Sequence, residues 1–328
     1  MNPPRLTFFC ELAAEPLQAL FEDSSVLEHL GALQASVSLG LVDLSAARAS
    51  VVQRLHAAGV PVIAWQLLPT EQGYWFNLDN APQAQARYEA FRQWTAEHGL
   101  RWDGVGLDIE PDLAELRRLL AQRWRYVPAL LRRLRRGEQL RQAREAYEAL
   151  VARIRADGYR VDTYQLPLIV DEREAGSTLL QRLLGVVDLP ADREVLMLYS
   201  SFVRPHGASL LESYGAQARS IGVGSTGGGV ELPGAGAAPP LSWEEFSGDL
   251  RRARRLCADL HVFSLEGCVG QGFLTRLRDF DWSEPADAPK TKTRRMELMR
   301  RVARLGLRAC AGGDALRPAP LGDYSSCR

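Results

Sequence analysis

Apolar residues along this chain recur in two rhythms. Short runs, alternating or continuously apolar, are separated by longer segments in which apolar positions repeat every three or four residues. The short runs fall at 6–11, 36–41, 62–67, 104–110, 161–166, 195–200, 220–225 and 261–266. Segments such as 82–98 and 243–257 carry the helical spacing between them. Gly59 and Gly99 follow two of these segments, where helix carboxyl-terminal caps belong. Eight strands alternating with helices predict an α/β fold of the (β/α)8 TIM-barrel type. An open doubly wound sheet is the alternative, but no strand-turn-helix carries G-x-G-x-x-G. The barrel is favoured.

Three stretches depart from a regular barrel. Residues 112–157 exceed one barrel helix and predict a helical hairpin or extended helix after strand four, rich in arginine from Arg117 to Arg144. Such a run is either a solvated helical face or a lid that binds anions or a partner. Residues 226–240, glycine-rich and then Pro/Gly/Ala, predict a long loop after strand seven. The domain reading is therefore a barrel over 1–285, including the 112–157 insertion. A carboxyl-terminal helix and flexible tail would then occupy 286–328.

Composition narrows the class. With 328 residues, 46% hydrophobic and 24% charged, the chain has ample core for one large globular domain. Forty basic residues balance forty acidic ones, which argues against a nucleic-acid surface as the main partner. Five scattered cysteines without a C-x-x-C pair favour a reducing compartment over a disulfide framework or zinc site. The amino terminus has too short an apolar stretch for a secretory signal, and no apolar run is long enough for a membrane span. The expectation is a cytoplasmic protein with no metal or cofactor. Its oligomeric state is not encoded in any of these features.

Residues 102–112 are the most informative stretch. On a strand, Val105, Leu107 and Ile109 form one apolar face. Gly104, Gly106, Asp108 and Glu110 form the other, empty at one end and doubly acidic at the other. Two carboxylates at i, i+2 lie about 7 Å apart at the backbone, so each raises the cost of ionising its neighbour. A general acid needs that arrangement; a strand end with two solvated acids is the plain alternative. The flanking glycines favour the first, because they clear space beside the acids.

Barrel active sites form at the carboxyl ends of the strands. The residues expected there are Glu11, Trp65, Gln66, Asp108, Glu110, Tyr164, Gln165, Tyr199, Ser200 and Glu266, with Tyr74, Trp75 and Asn77 from the loop after strand three. Carboxylates, amides and aromatic rings without histidine suit a carbohydrate or other polyhydroxylated small molecule. Trp65 and Tyr164 could equally point outward beneath the helices.

The run Asp103-Gly104-Val105-Gly106-Leu107-Asp108-Ile109-Glu110 resembles D-G-x-D-x-D-x-E, the fourth-strand motif of the chitinase-like family 18 glycoside hydrolases. Gly106 stands where that motif has its middle Asp. Met197-Leu198-Tyr199-Ser200 resembles the family's sixth-strand M-x-Y-D, with Ser200 in place of Asp. The resemblance implies Glu110 as general acid, Asp108 orienting a substrate N-acetyl nucleophile, and Tyr199 touching the same group. The departures at Gly106 and Ser200 weaken substrate assistance specifically.

Two main readings follow. One is a glycoside hydrolase-like enzyme with Glu110 as acid, Asp108 ionised beside it, and Glu266 or Glu11 as second carboxylate. The other is a non-catalytic barrel that binds carbohydrate or a partner. A weaker third is a phosphate-ligand barrel, suggested by Gly224-Ser225-Thr226-Gly227-Gly228-Gly229 after strand seven. Neither sugar nor linkage is encoded legibly.

Overall fold

The computed structural model describes residues 3–121, 132–229, 239–286 and 293–311. Eight strands run β1 Arg5–Cys10, β2 Ser36–Leu41, β3 Val62–Gln66, β4 Gly104–Ile109, β5 Val161–Gln165, β6 Arg193–Met197, β7 Ser220–Gly224 and β8 Asp259–Phe263. Each pairs in parallel with the next, and β8 pairs with β1 to close the barrel. The chain is an α/β barrel with a further helix at its carboxyl end.

Strand parity sorts the side chains into two cores. Val105, Leu107 and Ile109 face outward and pack with Tyr88, Phe91 and other helix residues in the larger cluster. Phe9, Trp65, Tyr164, Val195 and Met197 face inward and fill the barrel. Trp65 and Tyr164 thus point to the interior.

Two strands differ from expectation by more than one residue. β6 starts earlier, at Arg193, because its first residues join an ion network. β8 ends at Phe263, because Ser264 leaves the strand and its hydroxyl accepts from Gly267 N at 3.1 Å, capping the helix Leu265–Gly270. Glu266 is therefore in a helix's first turn rather than closing a strand.

That ion network plugs the amino-terminal end of the barrel. Arg193 bridges Asp162 and Asp259, the latter at 3.1 Å. Arg160 reaches Asp162 at 3.0 Å, and Arg5 reaches Asp259 at 3.1 Å. Asp162 is fully buried.

The insertion after β4 contains the helices Leu113–Ala121 and Gly137–Ala156; residues 122–131, with Arg123 and Arg125, lie outside the described residues. The second helix buries Leu140, Ala143, Tyr147, Leu150, Val151 and Ile154 and lies beside the helix Ala81–Glu97. It takes the place of an ordinary barrel helix. Arginines that a lid would turn to the mouth are engaged elsewhere: Arg133 with Glu115, Arg136 with Asp79, Arg141 with Glu138 and Glu145, Arg144 with Gln181. What does reach the rim is apolar, since Leu113 and Leu116 pack against the inner cluster.

The helix Thr293–Ala311 packs on the helices Leu168–Ala175 and Gly207–Gly215. Its anchor is Arg300, which donates to Asp171 at 2.9 Å and lies 3.7 Å above the Tyr214 ring. The tail expected to be flexible, 312–328, lies outside the described residues.

Candidate active site

The carboxyl ends of β1, β3 and β4, with the segments after β6 and β8, bring Glu11, Trp65, Asp108, Glu110, Tyr199 and Glu266 to one end of the barrel. Asp108 projects inward from β4 and is only 2% exposed. The indole Nε1 of Trp65 donates to its Oδ2 at 3.0 Å, while Oδ1 is buried without a partner. Burial is the main force raising the Asp108 pKa well above the ordinary carboxylate range, with Glu110 and then Glu11 adding to it. Glu110, one strand step nearer solvent and half-buried, is raised by burial to about 7. The expectation of an ionised Asp108 runs against this direction: burial pushes Asp108 as well as Glu110 toward the protonated form, and a single donor, the Trp65 indole, offsets the charge.

Glu11 lies close enough to act on Asp108, and Glu266 lies next to Glu11. The Tyr74 hydroxyl donates to Glu11 Oε1 at 2.5 Å, and Glu11 N donates to Glu266 Oε1 at 3.3 Å. Tyr74 adopts a left-handed φ of 66°, a costly conformation for an aromatic residue, and in it holds this carboxylate. Burial raises the Glu266 pKa as well.

Tyr199 is close enough to Asp108, Glu110 and Glu11 that all three raise its pKa, after burial. Its ring lies 5.6 Å from Phe263 and 6.1 Å from Phe202, and Phe263 is 6.5 Å from Trp65. An aromatic path thus leads from exposed Phe202 down to the indole that holds Asp108. Phe202 and Phe263 were not legible as site residues. The only sequence signal for Phe202 is an aromatic residue just past the sixth-strand tyrosine.

Other expected residues lie elsewhere. Gln66 and Gln165 are buried and on the opposite parity to Trp65 and Tyr164, so they project beneath the helices and do not reach the mouth. Trp75 is buried in the inner cluster with its ring 5.5 Å from Tyr74, and supports the loop. Asn77 is buried too, its amide donating to the Trp75 carbonyl at 3.2 Å. Ser200 turns outward to hydrogen-bond Asp249.

Gly106 clears space, but not for a ligand. A Cβ there would lie 2.2 Å from the Tyr164 hydroxyl, which itself bonds Ser38 Oγ at 2.6 Å. Tyr164 occupies the volume that an Asp at 106 would need. The loop after β7 makes a similar close approach. A Cβ on Gly228 would meet Glu266 at 2.5 Å, and one on Gly229 would meet Phe263 at 2.4 Å and Glu11 at 2.9 Å. Glycine backbone is thereby laid directly over two mouth carboxylates.

No family model matches the sequence, and no curated protein matches it. Among solved structures, the chain is similar to the glycoside hydrolase domain of PgaB (BpsB) from Bordetella bronchiseptica. That match is 11% identical with a TM-score of 0.49, over 85% of this chain and 99% of that one. It is similar to a GH18 chitinase from Pseudoalteromonas aurantia at 10% identity and TM-score 0.45, over 84% and 100% of the two chains. A D-allulose 3-epimerase from Methylomonas sp. aligns at 9% identity and TM-score 0.43, over 80% and 85%. These likenesses concern barrel shape; the functional reading rests on the site.

Proposed function

We propose that the mouth binds a carbohydrate and cleaves a glycosidic bond, with Glu110 as the proton donor. The observation that carries this is a half-buried glutamate raised to about 7, beside a deeper buried aspartate whose pKa is raised as well, at the foot of an aromatic path. A carboxyl group that titrates near neutrality can both hold and deliver a proton at working pH. Asp108, with Oδ1 unpartnered, has hydrogen-bonding capacity left for a substrate hydroxyl. Glu11 and Glu266 are the candidate second carboxylates. A separation from Glu110 of about 5 Å would make the enzyme retaining, and about 6.5–9.5 Å inverting.

One observation favours a binding barrel without turnover. Glu11 is engaged by Tyr74, Glu266 by Glu11 N, and Gly228 and Gly229 lie against both. The same carboxylates oppose the phosphate reading, since an anion at this loop would face two acids.

The test is release of reducing ends from oligosaccharides with and without 2-acetamido groups. Glu110→Gln should lower turnover about 100-fold or more while sugar binding survives. Cleavage confined to 2-acetamido sugars would support substrate assistance despite Gly106. Binding by the wild type with no turnover on any sugar would leave the binding barrel standing and end the enzyme reading.

A further inference from the structure

We propose that the outer face of the helix Thr293–Ala311 docks the protein peripherally on an anionic lipid bilayer. This helix is two-faced. Arg300 and Leu307 are buried against the barrel's helical shell, and Met296 and Arg304 are half-buried on the same side. On the opposite side Leu298, Met299, Val302 and Leu305 are each between 58% and 60% exposed. At about 100° per residue, Leu298, Val302 and Leu305 fall in one narrow stripe with Met299 at its edge. Elsewhere among the described residues, large exposed apolar side chains are single and dispersed: Leu134, Leu168 and Phe202. Scattered exposure of that kind needs no explanation, whereas a contiguous stripe does.

Charge says what covers it. Arg294, Arg301 and Arg308 recur at seven-residue intervals and line one border of the stripe, with Arg295 on its other side; all four are exposed. Glu297 is the one acid in the helix. Two copies of this face packed antiparallel would set their Arg294, Arg301 and Arg308 rows against each other. An anionic headgroup layer satisfies both parts of the surface at once. Leu, Met and Val enter the acyl boundary, and guanidinium groups bond phosphate oxygens. Geometry agrees, because the helix sits outside the ring of barrel helices, on Leu168–Ala175, Leu179–Leu184 and Gly207–Gly215. No helix among the described residues is long and apolar enough to cross a membrane, so the contact is interfacial.

Flotation of the whole protein tests this, using vesicles of phosphatidylcholine alone and of phosphatidylcholine mixed equally with phosphatidylglycerol. The wild type should float with the mixed vesicles and not with phosphatidylcholine alone, and added salt should weaken it. Arg294→Gln with Arg301→Gln should reduce partitioning about twenty-fold. Leu298→Ser with Leu305→Ser should reduce it about tenfold or more. Both variants leave Arg300 and Leu307 in place, and circular dichroism confirms that each is folded. Absence of flotation overturns the proposal, as does flotation that neither variant changes. It is equally overturned if the wild type self-associates through Leu298 and Leu305 in solution and does not partition into vesicles.

Discussion

The two ends of the barrel both bury carboxylates inside the strands and treat them in opposite ways. At the amino-terminal end, Asp162 and Asp259 surround Arg193, with Arg160 and Arg5 completing the set. At the mouth, no ion pair to Asp108, Glu110 or Glu266 occurs among the described residues. Arg48, a fully buried cation, directs its guanidinium to the carbonyls of Gly40 and Leu12 and to Asp43. One end pairs its acids with cations; the other buries Asp108 without one and pushes its acids toward their protonated forms. The first arrangement holds a structure together. Under the proposed function, the second would leave a proton available for transfer, at a cost in stability that a purely structural site would avoid.

The largest expected effect comes from breaking the paired end. Arg193→Met keeps much of the volume and leaves Asp162 and Asp259 as buried charges short of a partner. The loss should be about 3–5 kcal/mol, measured by urea unfolding. Turnover or sugar binding per folded molecule should stay at the wild-type level. A loss under about 1 kcal/mol would mean that the two ends do not differ as described.

Gly106 tests the boundary between the two regions, since Tyr164 spans the space beneath Asp108. Gly106→Ala pushes a methyl into the Tyr164 ring, which is fixed by Ser38 and packed on Phe9 at 4.7 Å. Overpacking here should cost about 1–3 kcal/mol in thermal or urea unfolding. An unchanged midpoint would mean that the ring can move aside.

The same glycine shows how far the sequence could be read. Alternation of apolar and polar positions located all eight strands, because a barrel strand is short, covered on both faces and bounded by turns. Parity on β4 also put Asp108 and Glu110 on one face. Parity cannot show what a neighbouring strand places opposite a glycine, so Gly106 read as cleared space beside the acids when Tyr164 fills it. Nor can it show partners distant along the chain. Asp162, Arg193 and Asp259 each look like unremarkable strand-end charges and have meaning only together. Glu266 was placed at the correct end for a reason that failed, since the strand had already stopped at Phe263. Gln66 and Gln165 looked polar enough for the mouth, yet one step of parity sends them under the helices.

Asp108→Asn sharpens the unpaired end. Both mouth acids have folded-state pKa values above their ordinary ones, so folding favours their protonated forms. The Glu110 contribution is present at acidic pH, below the ordinary carboxylate range, and is lost as pH rises through about 7; that of Asp108 also falls as pH rises. Urea midpoints should therefore fall between about pH 5 and about pH 8. Asn keeps an acceptor for the Trp65 indole and never ionises. The variant should gain about 1–2 kcal/mol at about pH 8 and show a flatter pH dependence. If it is less stable at both values, Asp108 is ionised in the wild type and the contrast between the two ends is wrong.

The smallest effect belongs to the rim. Phe202 is 58% exposed on the short turn Ser200–Val203, and its ring touches only the outer end of the path through Tyr199 and Phe263. Truncation of a side chain so exposed should change folding stability by no more than about 0.5 kcal/mol. If the path receives a sugar, the loss of one stacking face should weaken binding by about threefold to tenfold. Calorimetric titration of an oligosaccharide into wild type and Phe202→Ala measures this directly, and Phe202→Trp should restore the affinity. The comparison that decides is between long and short sugars. A rim platform contacts only the distal residues, so Phe202→Ala should weaken a long oligosaccharide and leave a disaccharide unaffected. Equal weakening of both would place the bound sugar at Phe202 itself, away from Glu110, and would separate the aromatic path from the acids it was taken to serve.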